Sequence, residues 1–222
     1  AESVPEPMLK EWQARGILLQ EVYGMTETSG VVCMAQKADL PEHMGYAGRA
    51  LPYGDVKVMK SETEEALPGE LGEIWMRGAS VTPGYWSRPD ATAEAFVGDW
   101  LKSGDIGRRD ETGRLSVEDR IKDMYISGGE NVYPAEVETV LMAHPDIGEI
   151  AIIGVPNAKW GEVGCAVVAT ISGDPLSVEA IHQRCDGHLA RFKWPQQVVQ
   201  TEALPRNSTG KVQKFVLRQE YT

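Results

Sequence analysis

Two continuous apolar runs, EIAIIGV (149–155) and CAVVATI (165–171), constrain this chain more than any other feature. Each is seven residues long, too short for a core helix and without polar alternation, and each therefore reads as a buried strand. Helical patterns flank them. MYISGGENVYPAEVETVLMAH contains a Gly-Gly turn and then a helix from about Pro134, with Val137, Val140 and Leu141 on one face. SVEAIHQRCDGHLARF (177–192) reads as an amphipathic helix and QVVQ (197–200) as a last strand. Strands and helices mixed in this way over about 100 residues make a separate α+β domain.

Upstream the pattern differs. Residues 6–15 carry Leu9 and Trp12 at helical spacing and stop at Gly16, and ILLQEVYG (17–24) reads as a short buried strand feeding a polar loop. DVKVM (55–59) and GEIWMRG (72–78) read as paired strands, and RPDATAEAF (88–96) as a helix with Pro89 near its start. Residues 98–121 are dense in Gly, Asp and Arg, which predicts short strands joined by turns at Gly104, Gly107 and Gly113.

Charge and cysteine content narrow the setting. Residues 1–120 carry 13 basic against 21 acidic side chains and residues 121–222 carry 9 against 12, so neither part suits general binding to nucleic acid or an anionic membrane. Arg206, Lys211, Lys214 and Arg218 run against that trend, with no acidic residue between the first and the last. Such a string suits a phosphate-bearing ligand, or a solvated face. Three widely spaced cysteines (Cys33, Cys165, Cys185) argue against a disulfide framework and for a reducing, cytoplasmic compartment. His182, Cys185 and His188, at i, i+3 and i+6, would spread over about 120° of a helix and about 9 Å of its length, too wide for one metal. No apolar run approaches a transmembrane length, and residues 1–20 lack the features of a signal peptide.

Four strings combine charge with a flexible backbone: YGMTE (23–27), KSGDIG (102–107), DRIKDMYISGGENVYP (119–134) and PRNSTGKVQK (205–214). In YGMTE an aromatic ring can stack on a purine, a hydroxyl can bond a phosphoryl oxygen and a carboxylate can hold a hard cation, or the string is a capped loop with a structural threonine. Asp105, with two acceptor oxygens, can satisfy turn amides. STGKV is not a nucleotide phosphate loop, because that pattern needs Gly where Pro205 stands and Ser or Thr where Val212 stands.

Together with GELGEI (69–74) and GYWSRPDATAEAF (84–96), these strings resemble, in order and spacing, the adenylate-forming family of acyl-CoA synthetases, firefly-type luciferases and peptide-synthetase adenylation domains. The resemblance runs from about residue 18 to the end of the chain. It implies an α/β and α+β fold: residues 1–121 as the carboxyl-terminal part of the large adenylation domain, with a small β-barrel-like subdomain, and residues 122–222 as a small mobile domain hinged at Lys122. By the same resemblance Tyr23 meets adenine, Gly24 belongs to the nucleotide-binding residues, Thr26 meets the phosphate and Glu27 a Mg2+ ion, while Asp105 holds both ribose hydroxyls and Arg120 the ribose and phosphate side. Gly128 and Gly129 line the path of the CoA pantetheine arm. Lys211 is the adenylation lysine.

The implied reaction joins a carboxylic acid to CoA through an acyl-AMP, at the cost of ATP. SGGENVYPAEVE is most similar to fatty-acyl-CoA ligases, which makes a fatty acid the expected substrate. The Ser/Thr/Gly-rich loop that wraps the β,γ-phosphates in relatives does not occur here, so the chain is expected to be a fragment, inactive alone, that needs an amino-terminal part of the same enzyme. Adenylation with another acceptor, an inactive nucleotide-binding or interaction module, and a homo-oligomer stay open.

Overall fold

In a computed structural model, which describes residue 4, residues 6–40 and residues 42–222, the chain divides into two compact units, Ala1–Ile121 and Lys122–Thr222. Part of the segment tested for a signal peptide lies outside the described residues. The architecture is mixed α/β.

The first unit starts with α1 (Glu6–Ala14), which buries Leu9 and ends in a turn at Gly16. A three-stranded antiparallel sheet follows, made of β1 (Val22–Met25), β2 (Gly30–Met34) and β3 (Arg49–Ala50). A second antiparallel sheet, curled like a half-barrel, runs β4 (Gly54–Met59), β5 (Gly72–Gly78), β7 (Trp100–Arg109) and β6 (Phe96–Val97), with β8 (Leu115–Arg120) also on β7. Before β6 lies α2 (Pro89–Ala95), opened by Pro89, whose missing amide hydrogen costs nothing in a first turn. The two sheets share one core, with Tyr23, Val32 and Cys33 packed among Val58, Ile74, Met76 and Leu101.

Two expectations fail in this unit. Ile17 and Leu18 are exposed and unpaired as strand, because the partner β2 extends only far enough to reach Val22. Gly104 and Gly107 make no chain-reversing turns either. Both lie inside the ten-residue β7, where Gly104 at φ +72° sits in a bulge opposite β5. Gly107 is glycine because a Cβ there would lie 2.4 Å from the Ser116 carbonyl. Only Gly113, at φ +81°, serves a turn, the one from β7 to β8.

The second unit begins with the hairpin β9 (Tyr125–Ser127) and β10 (Glu130–Val132), then α3 (Pro134–Leu141). The two apolar runs form the long hairpin β11 (Ile147–Asn157) and β12 (Gly161–Thr170), and after α4 (Val178–Cys185) the strand β13 (Gln197–Gln200) pairs parallel with β12. The last element is α5 (Lys214–Tyr221).

Packing on both faces explains why residues 150–155 and 165–169 are without polar side chains. Ile150, Ile152, Ala166 and Val168 face Val137 and Leu141 of α3 and Ile181 and Cys185 of α4. Their neighbours Ala151, Ile153, Cys165 and Val167 face Leu204, in the loop after β13, and Leu217 of α5. Both faces of the hairpin are therefore covered. The helix expected over 177–192 stops at Cys185, where Asp186 turns extended and Gly187 takes φ +74°. β2, β3 and α5 are additions to the sequence reading.

Candidate functional site

Tyr23 and Asp105 meet inside the first unit. The Tyr23 hydroxyl donates to Asp105 Oδ2 at 2.7 Å, and the residues are 1% and 7% exposed. The other carboxylate oxygen, Oδ1, lies 3.4 Å from Nε of Arg120, whose side chain is largely exposed. Burial, and next to it the Asp105 charge, pushes the Tyr23 hydroxyl far above its ordinary value. Tyr23 therefore stays a neutral donor at physiological pH. It enters the site through that hydroxyl; its ring is packed in the core and presents no exposed face for stacking.

The bulge in β7 is what aims Asp105. Glu73 Oε1 accepts the Gly104 amide at 3.0 Å while Oε2 accepts the Trp75 indole at 2.9 Å, and the Asp105 amide donates to Ser103 Oγ at 3.0 Å. Asp105 pairs with Arg120 across β7 and β8. Sequence reasoning missed Glu73 and Ser103 as positioning groups, although both lie in the strings GELGEI and KSGDIG. Gly24 has a packing reason of its own: a Cβ would sit 1.8 Å from the Gly30 carbonyl, where β1 bulges against β2.

Thr26, Glu27 and Thr28 form a short 3-10 turn between β1 and β2. Thr28, fully buried, accepts the Met25 amide at 3.0 Å and donates to the Gly30 carbonyl at 2.6 Å. The structural threonine of this loop is thus Thr28, which leaves Thr26 exposed. Glu27 is half-buried and accepts a bond from the Tyr85 hydroxyl at 3.0 Å, and its carbonyl accepts the Thr82 amide at 2.7 Å. An open depression of about 650 Å3 is lined by Gly24, Met25, Thr26 and Gly30. A second, about 700 Å3, lies by Arg77, Thr82 and Phe96 and holds none of the expected site residues.

Among the described residues no three His, Cys, Asp or Glu side chains converge as metal ligands. A lone carboxylate such as Glu27 fits Mg2+, which keeps several waters and takes its remaining oxygens from phosphates.

In the second unit Gly128 and Gly129 form the two-residue loop of the β9–β10 hairpin, with φ +61° and +90°. Positive φ at both positions is what such a loop demands. The Gly128 amide donates to the Trp160 carbonyl at 2.9 Å, and a Cβ on Gly128 would meet the Trp160 ring at 3.0 Å. Lys122, exposed, is the first residue of this unit.

Lys211 sits on a loop tied by one side chain. Asn207 Oδ1 accepts the Thr209 amide at 3.0 Å, the Thr209 hydroxyl at 2.8 Å and the Lys211 amide at 2.9 Å, and the Asn207 amide returns to the Lys211 carbonyl. Of the four cations in the terminal string, Arg206 pairs with Glu149, Lys214 with Glu138 and Arg218 with Asp123. Lys211, exposed, has no ion pair among the described residues. Asn207 was legible only as part of PRNSTGKVQK.

The family described as AMP-binding enzyme matches residues 1–86, and the AMP-binding enzyme C-terminal domain matches residues 136–211. The chain belongs to the adenylate-forming superfamily. Within that superfamily it is 41% identical, over 99% of its length, to a long-chain-fatty-acid–CoA ligase of Mycobacterium tuberculosis, and covers 43% of that protein. It is 43% identical over 97% of its length to a 2-succinylbenzoate–CoA ligase of Geobacillus, covering 44% of it. The o-succinylbenzoate CoA synthetase of Bacillus subtilis, solved with the acyl-adenylate OSB-AMP, superposes with a TM-score of 0.91 at 35% identity, over 99% of this chain and 44% of that one. The same synthetase with ATP and magnesium gives 0.89 at 34% identity, over 100% and 45%. The chain thus spans less than half the length of these adenylate-forming relatives. Among the described residues no helix is long and apolar enough to cross a membrane.

Proposed function

We propose that this chain works as part of an AMP-forming acid–CoA ligase. In the first half-reaction a carboxylate oxygen attacks the α-phosphorus of ATP, forming the acyl–phosphate bond and releasing pyrophosphate. In the second the CoA sulfur attacks the acyl carbon, its proton passes to solvent and AMP leaves. Splitting one difficult condensation into two displacements is the logic of covalent activation.

Asp105, fixed by Tyr23 and by the bulge at Gly104, accepts bonds from the ribose hydroxyls, and Arg120 lies beside it for the phosphate side of the nucleotide. Thr26 and Glu27 serve the phosphates and Mg2+, which supplies charge neutralisation there. Tyr23 contributes its hydroxyl to this arrangement and Gly24 its close backbone turn toward the adenine. Gly128 and Gly129 leave the backbone open for the pantetheine arm. Lys122 is the hinge between a large-domain part, 1–121, and a small mobile domain, 122–222.

The observation that carries the proposal is Lys211, an exposed ammonium without an ion pair among the described residues, on a loop braced by Asn207. A free, positioned cation is what a developing negative charge on the transferring phosphoryl group needs. Its three neighbours in the string are each neutralised by a carboxylate. The acid is a fatty acid or an aryl-substituted acid, since relatives of equal similarity bear both kinds of name. Three buried, unpaired cysteines support a cytoplasmic setting.

Carboxylate-dependent ATP–pyrophosphate exchange and acyl-CoA formation by the complete enzyme test this reading, with medium- and long-chain fatty acids and aryl acids as substrates. Exchange with at least one acid and transfer to CoA are expected, and the chain by itself should give neither. Exchange without any acyl-CoA would move the acceptor elsewhere. Robust exchange by this chain alone would overturn the view that it needs an upstream half.

A further inference from the structure

The junction between the two units is bracketed by two unlike anchors. On the upstream side the Ile121 amide donates to the Gly104 carbonyl at 2.9 Å, one residue past the end of β8. On the downstream side the guanidinium of Arg218, 96 residues away in sequence, donates to the Lys122 carbonyl at 2.8 Å. The same group also donates to the Asp123 carbonyl at 3.1 Å and to Asp123 Oδ1 at 2.9 Å.

A peptide unit is planar from one Cα to the next, so holding its amide or its carbonyl holds both Cα atoms. The Gly104 bond therefore fixes the chain to the first unit as far as Cα of Ile121. The Arg218 bonds fix it to the second unit from Cα of Lys122 onward. Between these points only φ and ψ of Ile121 and Lys122 are free, about a single unheld peptide plane. Arg218 itself is held firmly: it follows Leu217, which is 2% exposed and packed under the β11–β12 hairpin.

We infer that Arg218 is a positioning residue for the hinge: by pinning the Lys122 and Asp123 carbonyls it confines the swivel to Ile121 and Lys122. This rests on reading the junction as a hinge, and it adds the group that sets the hinge's downstream limit. Arginine suits the task because a planar fork reaches two successive carbonyls and a carboxylate at once, which an ammonium cannot. Without the fork the free segment would lengthen through Asp123 toward the buried Tyr125.

Limited trypsin digestion of the chain as it stands, with fragments assigned by mass, reads the pin directly, because the Lys122–Asp123 bond is itself a tryptic site whose carbonyl Arg218 holds. Arg218→Ala should speed cleavage there by at least about tenfold, the scale of losing hydrogen bonds to a charged group. Cleavage after Lys159 and Arg184, in the same unit, should stay unchanged. If those bonds also speed up, the alanine variant has lost its fold, and Arg218→Lys decides, with an expected several-fold rise at Lys122 alone. Unchanged cleavage after Lys122 in either folded variant overturns the inference.

The digestion needs neither ATP, acid nor CoA, so it stands apart from any failure of the ligase reading. In the complete enzyme, Arg218→Ala should also shift the ratio of the two half-reaction rates by about three- to tenfold. Equal loss in both would mark Arg218 as structural only.

Discussion

The Tyr23 hydroxyl lies 2.7 Å from Asp105 Oδ2, joining β1 to the bulge of β7 across 82 residues of sequence. A buried carboxylate held by a neutral donor keeps one oxygen spoken for and one turned toward Arg120. Tyr23→Phe removes the donor without changing the ring. In the complete enzyme it should raise the KM for ATP by about tenfold, the scale of one hydrogen bond to a charged group. It should also shrink the preference for ATP over 2′-deoxy-ATP. An unchanged preference would show that Tyr23 does not act through Asp105.

Lys211→Ala should depress acyl-adenylate formation by ~10²–10³-fold, as expected when one charge-stabilising group is lost from a transition state. Thioester formation from supplied acyl-AMP should persist. Equal losses in the two half-reactions would make Lys211 a structural residue.

Asn207 holds the Lys211 loop through one oxygen that accepts three bonds. Asn207→Ala should therefore slow adenylation by about tenfold, since small misplacements of a reacting group are costly. Asn207→Asp retains the acceptor and should restore most of the rate. Single-turnover kinetics compare them, and equal slowing by both variants would separate the loop geometry from the chemistry.

Lys122→Pro fixes φ near −65° at one of the four free torsions of the junction. One half-reaction should fail while the other persists, adenylation being the expected survivor. Loss of both in a folded protein, or of neither, would remove Lys122 as the hinge.

Asp110 closes the β7–β8 turn. Burial alone would raise its carboxyl, but bonds from the Arg114 guanidinium and amide, and from the Thr112 hydroxyl and amide, outweigh that and hold it well below its ordinary value. A folded-state value below the unfolded one stabilises above about pH 4, and the gain is lost as pH falls toward the folded value. Asp110→Asn should cost about 1–3 kcal/mol at neutral pH and flatten the loss of stability below pH 4. Thermal melts of both proteins from pH 7 to pH 3 measure this; parallel curves would mean that Asp110 carries none of the acid sensitivity.

Local pattern by itself determined the elements whose partners lie close in the chain. The strands β11 and β12, α3 and the paired strands β4 and β5 follow from apolar runs, a proline start and an intervening turn, because none of these needs distant information. The motif strings likewise marked Asp105, Glu27 and Lys211 by residue type. Tertiary structure decided the rest. The segment from Ile17 is apolar enough for a strand, yet only pairing with β2 makes one, and that pairing ends at Val22. Gly104 reads as a turn until β5 supplies the partner that makes it a bulge. Which of four basic residues stays unpaired among the described residues depended on Glu149, Glu138 and Asp123, all far upstream of the string. Tyr23 showed an aromatic ring suited to stacking, and the packing of two sheets turned that ring inward and left its hydroxyl on Asp105. Residue types are written locally, whereas burial and pairing are properties of the surfaces that folding brings together.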